Sequence, residues 1–168
     1  MFFRITCIAL ALLSILRGPV GEEITLGLMP RLMVQELTAY ENILLPVMLD
    51  GRRPDEDYIR RIVEMLGLED RLEHLPSAMS GGQQQRVAIA RALANKPSVV
   101  FADEPTGNLD ARTGREVLFL LKYTGQELGV TLILVTHDLG VAEQADRIMT
   151  LEDGRIIRDT RPAEAEES

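Results

Sequence analysis

Two adjacent carboxylates, Asp103 and Glu104, follow the apolar run Ser98-Val99-Val100-Phe101-Ala102. Placed after the helix-breaking Pro97, that run reads as a buried parallel strand. Open α/β sheets keep their ligand sites beyond the C-terminal ends of such strands. Carboxylates standing there can divide the labour. Asp103 suits Mg²⁺, an ion that prefers oxygen ligands and retains several waters. Glu104 suits a base that orients and deprotonates an attacking water, a role typically worth about 10²–10⁴-fold in rate. The plain alternative is an exposed Asp-Glu pair after an edge strand.

Ser80-Gly81-Gly82-Gln83 forms a second group upstream. Ser80 is a good N-cap, and the glycines let backbone amides come close to a ligand. A helix over about 83–94 aims its positive dipole end at that spot, which makes a ready anion site. Taken alone, Ser-Gly-Gly describes any capped helix. The third candidate is His137-Asp138, after the β-branched and leucine run from Val130 to Thr136, which reads as a central buried strand. A lone histidine is more often structural than catalytic. Asp110, similarly, can simply cap the helix that follows it.

The elements that must position these residues are legible as helices and strands in alternation. Residues 55–66 read as a helix, with Tyr58 or Ile59, Ile62, Val63 and Leu66 on one face, Glu56 in the first turn and Gly67 as its stop. Residues 68–75 read as a short helix or turn ended by Pro76. A helix over 111–128 places Val117, Leu120, Leu121 and Leu128 on one face and ends at Gly129. A short helix over 139–145 follows, then a hairpin of 148–151 and 155–158 around Asp153-Gly154.

The whole run from Met79 to Asp110, MSGGQQQRVAIARALANKPSVVFADEPTGNLD, resembles the signature, Walker B and D-loop segments of ATP-binding cassette (ABC) ATPases, with Met79 where the family usually has leucine. Leu37-Thr38-Ala39-Tyr40-Glu41-Asn42-Ile43 and Leu45-Pro46 resemble the segment leading into the family's helical subdomain, closest to the branch serving lipoprotein release, macrolide export and cell division. Leu134-Val135-Thr136-His137-Asp138 is similar to the family's switch segment, and the resemblance continues from Leu32 to Arg158. It implies an α/β fold: the C-terminal part of a P-loop NTPase domain, a parallel sheet with flanking helices plus a helical signature subdomain. By the same resemblance, Ser80, Gly81, Gly82 and Gln83 contact the γ-phosphate of an ATP held by another subunit. Asp103 holds Mg²⁺, Glu104 is the catalytic carboxylate, His137 bonds the γ-phosphate and supports it, and Asp110 lies in the inter-subunit loop. The implied partners are a second ABC ATPase subunit in a head-to-tail dimer and membrane permease subunits docked on the helical region. The implied location is cytoplasmic, peripheral on the inner face of the cell membrane.

One part of that family pattern does not occur. A phosphate-binding loop needs glycines to wrap the phosphates and a lysine to reach the terminal ones. No G-x-x-x-x-G-K-[ST] is found in the 168 residues, whose only lysines are Lys96 and Lys122. The family's γ-phosphate-sensing glutamine would fall near Leu28 or Met29, and Gln35 reads as an ordinary surface residue. The expectation is therefore an ABC ATPase subunit with a truncated or altered first third, unable to hydrolyse ATP alone. The alternatives are a non-catalytic partner lending its signature in trans to a complete ATPase, and an inactive relic with an apolar anchor.

The expected layout is an atypical apolar segment over 1–30, the ATPase domain over 31–160, and an acidic tail over 161–168. Within the domain the helical subdomain covers about 37–95 and the Walker B to switch-histidine core about 96–160. Phe2 to Leu16 is apolar except at Arg4, Thr6 and Ser14; it is too short for a membrane span and reads as a targeting segment or as a buried strand and helix. Apolar residues at 46% and charged residues at 26% fit a soluble globular chain, and a net charge of −8 argues against nucleic acid as a partner. The single Cys7 cannot form an internal disulfide, and the two histidines, His74 and His137, make no zinc-ligand spacing. A sheet lacking the family's first strands is expected to expose an apolar edge, an aggregation liability.

Overall fold

The structure, a computed structural model, describes residues 26–29, 33–107 and 109–160. The apolar stretch from Phe2 to Leu16 and the acidic tail lie outside the described residues. In chain order the elements are β1 (Leu26–Met29), α1 (Ala39–Leu49), α2 (Glu56–Leu66), two 3₁₀ turns (Glu69–Arg71 and Pro76–Ala78), α3 (Gly81–Leu93), β2 (Val99–Asp103), α4 (Ala111–Leu128), β3 (Thr131–Val135), α5 (Leu139–Ala142), β4 (Ile148–Glu152) and β5 (Arg155–Thr160). They fall into two compact units that divide between Thr136 and His137.

The first unit is built on a parallel sheet in the order β1-β2-β3. Met29 stands opposite Ala102, and Asp103 opposite Val135, so all three strands end on one side. Among the described strands β2 takes the central place, where Val130–Thr136 was expected, and β3 is an edge with half-buried side chains. A β-branched run reports that a face is covered, not how many strands pair with it. For β3 the cover includes α4, where Leu132 lies against Gly125.

Local chemistry explains the helix limits. Thr38 and Glu41 form a reciprocal capping box at the start of α1. Asp55 accepts from the Tyr58 amide at 3.1 Å to open α2, and Gly67 closes it in the left-handed region at φ 61°. Ser80 and Gln83 form a second capping box, so α3 begins at Gly81 and takes the glycines into its first turn. Asp110 opens α4 and Gly129, at φ 67°, closes it at the expected residue. Pro76 ends the preceding segment and also starts a 3₁₀ turn, because its missing N–H costs nothing at a first helical position. Strand β2 runs one residue later than expected and includes Asp103. Helix α5 stops at Ala142 rather than Ala145, where the Ala145 amide turns back to the Ala142 carbonyl.

Ile43 and Val47 from α1, Ile62 and Leu66 from α2, Val87, Ile89 and Leu93 from α3, Val100 from β2, and Val117 and Leu121 from α4 form the core of this unit. Burying each such side chain stabilises the fold by about 1.5–3 kcal/mol. Arg86 ties three helices from the edge of that core, reaching the Leu66 carbonyl at 3.5 Å and the Glu116 carboxylate at 3.6 Å. Lys96 pairs with Asp55 at 2.6 Å and lies over the Tyr58 ring at 4.9 Å, joining the end of α3 to the start of α2. In the second unit, β4 and β5 pair antiparallel around Asp153 (φ 47°) and Gly154 (φ 76°), the left-handed pair that a tight hairpin requires. Arg147 grips Asp159 with two hydrogen bonds of 2.8 and 2.6 Å across that hairpin.

Two tests follow from these contacts. A Cβ at Gly125 would stand 2.9 Å from Leu132 Cγ and Cδ1, so Gly125→Ala should destabilise by about 1–3 kcal/mol. Combining it with Leu132→Ala should cost less than the sum of the two single changes, as read by a denaturant double-mutant cycle. The Lys96 ammonium and the Tyr58 amide hold the Asp55 carboxyl below its ordinary value. A depressed native value gives stability that is complete above the unfolded pKa and is lost as pH falls through the folded one. Asp55→Asn, which can still cap, should therefore lose less stability than the parent chain between about pH 5 and about pH 2 in urea melts.

Candidate functional site

Asp103 is the last residue of β2, and both Asp103 and Glu104 are half-buried. The ladder with β3 continues one step past the strand, since the Glu104 amide donates to the Val135 carbonyl at 2.8 Å. At that step the backbone changes hand: Glu104 has φ 47°, a conformation costing a non-glycine residue on the order of 1 kcal/mol. The Gly107 amide returns to the Glu104 carbonyl at 3.1 Å and closes the turn through Pro105 and Thr106. Thr136, the residue after β3, donates its hydroxyl to Glu104 Oε2 at 3.4 Å. This threonine carries no catalytic signal of its own in the sequence. Its relation to Glu104 follows only from the Asp103–Val135 register.

Among the described residues no three His, Cys, Asp or Glu side chains gather into a metal cage. One or two carboxylates at a strand end fit Mg²⁺, which fills its remaining positions with water and phosphate oxygens. They fall short of the three or four protein ligands a zinc site uses.

At the start of α3 the Ser80 hydroxyl accepts from the Gln83 amide at 3.3 Å, and Gln83 Oε1 accepts from the Ser80 amide at 2.8 Å. Gln83 thus spends its side-chain carbonyl on the cap. Gly81 is exposed and Gly82 buried. A Cβ at Gly82 would meet Thr113 Cγ2 at 2.6 Å, and one at Gly81 would meet Leu109 Cδ2 at 3.3 Å. The two glycines therefore let the start of α3 close against the start of α4, a packing reason absent from the sequence reading. Asp110 holds that second helix start by accepting from the Arg112 and Thr113 amides at 3.1 and 3.0 Å. The Thr113 hydroxyl and amide, with the Arg112 amide, keep its carboxyl below the ordinary value.

The structure thus brings Gly81 and Gly82 together with the Asp110 segment, and Glu104 together with Val135 and Thr136. His137 follows Thr136 directly, is exposed, and opens the second unit, where Asp138 caps α5 through the Gly140 and Val141 amides. Leu28 and Met29, near the place of the family's sensing glutamine, belong to β1.

Comparison with known proteins matches this geometry to one group. The profile of the ABC transporter family matches residues 21–107, beginning ahead of Leu32, where the motif resemblance starts. The ABC transporter ATP-binding protein MJ1508 of Methanocaldococcus jannaschii is 51% identical over 129 residues, covering 74% of this chain and 56% of that protein. The lipoprotein-releasing system ATP-binding protein LolD of Zymomonas mobilis is 45% identical, covering 76% of this chain and 56% of its own length. The macrolide export ATP-binding/permease protein MacB of Vibrio parahaemolyticus is 50% identical, covering 79% of this chain and 20% of its own length. The chain thus spans between about a fifth and just over half of the length of these relatives. The dimeric ATP-binding cassette MJ0796, solved bound to ADP and Pi, superposes with a TM-score of 0.67 at 40% identity, covering 83% of this chain and 63% of that one. Its cassette shares the α/β P-loop NTPase arrangement of parallel sheet and flanking helices seen in the first unit. With the signature run, the strand-end carboxylates and the fold in agreement, the chain belongs to the ABC transporter ATP-binding family.

Proposed function

We propose that the chain acts as an ATP-binding subunit of an ABC transporter, supplying the signature face and the carboxylate end of a shared nucleotide site. The observation that carries this reading is the presence, within one unit, of a glycine-opened helix start packed on the Asp110 segment and of Asp103 and Glu104 at the end of the strand that is paired on both sides. Ser80, Gly81, Gly82 and Gln83 face the γ-phosphate of an ATP held by a second ABC ATPase subunit in a head-to-tail dimer. Asp103 holds Mg²⁺, which neutralises phosphate charge when bound. Glu104 orients and deprotonates the attacking water, with Thr136 and Val135 fixing its side chain and backbone. His137 supports the γ-phosphate side of the site, and Asp110 holds the inter-subunit loop. The assembly works on membrane permease subunits at the cytoplasmic face of the membrane.

Phosphoryl transfer depends mostly on positioning, and the 168 residues hold no G-x-x-x-x-G-K-[ST] to position phosphates. Turnover therefore requires a phosphate loop from elsewhere, and the 168 residues alone should not hydrolyse ATP. The same absence favours a second reading, in which the chain lends its signature to a complete cassette and Glu104 has no catalytic part.

Mixing the chain with a complete ABC cassette tests both. ATP-dependent association is expected, and Glu104→Gln should leave association intact while lowering the turnover of the mixture by about 10²–10⁴-fold at its site. Unchanged turnover with intact association establishes the non-catalytic partner instead. Absence of any ATP-dependent association sinks both readings.

A further inference from the structure

The start of α1 has a property that its position, far from Asp103 and Glu104 in sequence, does not suggest. A helix start leaves four N–H groups without intrahelical partners, and here all four are taken. Thr38 N donates to Glu41 Oε2 at 2.8 Å and Glu41 N to Thr38 Oγ1 at 3.2 Å. The Ala39 and Tyr40 amides donate to the carbonyls of His74 and Leu72 at 2.8 and 2.9 Å. Those two carbonyls belong to the segment that runs straight into Ser80. From the other side, Gln84 of α3 donates its side-chain amide to the carbonyls of Pro76 and Met79 at 2.9 and 3.2 Å. The segment 72–79 is therefore held between two helix starts.

Asn42 closes this assembly. It is fully buried, and its Nδ2 lies within 3.0 Å of the carbonyls of Val34, Leu37 and Thr38. Its Oδ1 accepts from the Val34 amide at 2.9 Å and from Arg91 of α3, itself buried, at 3.4 Å. One side chain thus folds segment 33–38 onto α1 and ties both to the helix that Ser80 caps. An apolar residue of similar size could fill the space but would take away the Asn42 partner of the Val34 amide and of the Leu37 carbonyl.

We propose that Asn42 is a positioning residue for Ser80. Any displacement of segment 33–38 shifts the start of α1, which carries the Leu72 and His74 carbonyls with it and so moves the Ser80 turn against the start of α3. This rests on the reading of Ser80 as a nucleotide-contacting residue. The coupling itself, however, is a property of the chain without nucleotide.

Amide hydrogen exchange on the full chain, with no nucleotide present, tests the coupling. Asn42→Ala should speed exchange about tenfold or more at 33–38, at Ala39 and Tyr40, and at 80–84, with β2 and the middle of α4 unchanged. Acceleration confined to 33–38 overturns the proposal. Should Asn42→Ala fail to fold, Gln84→Met approaches from the opposite end. Removing its two hydrogen bonds should speed exchange at the Ala39 and Tyr40 amides as well as at 80–84, and parent-like rates at Ala39 and Tyr40 overturn the proposal equally. ATP-dependent association with a complete cassette then separates the two layers. A loss of about tenfold in Asn42→Ala, accompanied by the exchange changes, supports positioning. The exchange changes with parent-like association remove Ser80 from nucleotide binding and leave the coupling without that role.

Discussion

The free N–H groups at helix starts constrain the first unit more than any other feature. Each must find an acceptor, and the acceptors chosen here decide which segments touch. Asp55 and Asp110 answer locally, each accepting from amides two or three residues on. Ser80 answers locally too, but shares the work with Gln83. The start of α1 answers both locally, through the Thr38–Glu41 box, and at long range, through the carbonyls of Leu72 and His74. A local cap leaves a helix start free to face a ligand or a neighbour. A long-range one turns it into a joint. The geometry around Ser80 depends on having one of each kind in contact: a local cap at α3 and a joint at α1, with segment 72–79 between them.

The sheet supplies the second constraint. Because β2 is paired on both sides, its end is the best-fixed point among the described strands, and the chain leaves it in a left-handed turn at Glu104. A strained residue persists only where its surroundings over-determine it. Here the Val135 carbonyl holds its amide, the Gly107 amide holds its carbonyl, and Thr136 reaches its side chain. Two of these contacts fix the backbone of Glu104 and the third bears on its carboxylate, an arrangement that suits the base role proposed for it. β3 therefore has a role beyond pairing, since it and the residue after it supply two of the three contacts.

What could be read from the sequence alone follows the distance between partners along the chain. The limits of α4 were legible because Asp110 and Gly129 sit beside the ends they make. The hairpin was legible because Asp153-Gly154 lies within the turn it forms. The run from Met79 to Asp110 was legible as a family resemblance. What those residues touch was not. Gly82 meets Thr113, thirty-one positions away, and Ala39 meets His74, thirty-five away, and neither pair has a local signature. Among the described strands β2, and not the run Val130–Thr136, takes the central place, for a related reason. Hydrophobic pattern reports burial of a face, whereas strand order is a long-range fact about pairing.

This distinction bears on how the two signature glycines are to be understood. A glycine ahead of an anion site is usually explained by the ligand it admits. At Gly82 the nearest obstacle to a side chain is Thr113 of the same chain, at a distance no Cβ tolerates. A substitution there must displace Thr113, in the first turn of the helix that Asp110 caps, whether or not a ligand is present. Loss of nucleotide response at Gly82 would therefore mix a ligand effect with a displacement of the Asp110 segment. At Gly81 the approach to Leu109 is looser, at 3.3 Å, and a flexible leucine end can give way. Of the two positions, Gly81 is the one at which the proposed ligand contact can be tested with least change in packing, and Gly82 reports the packing between the two helix starts.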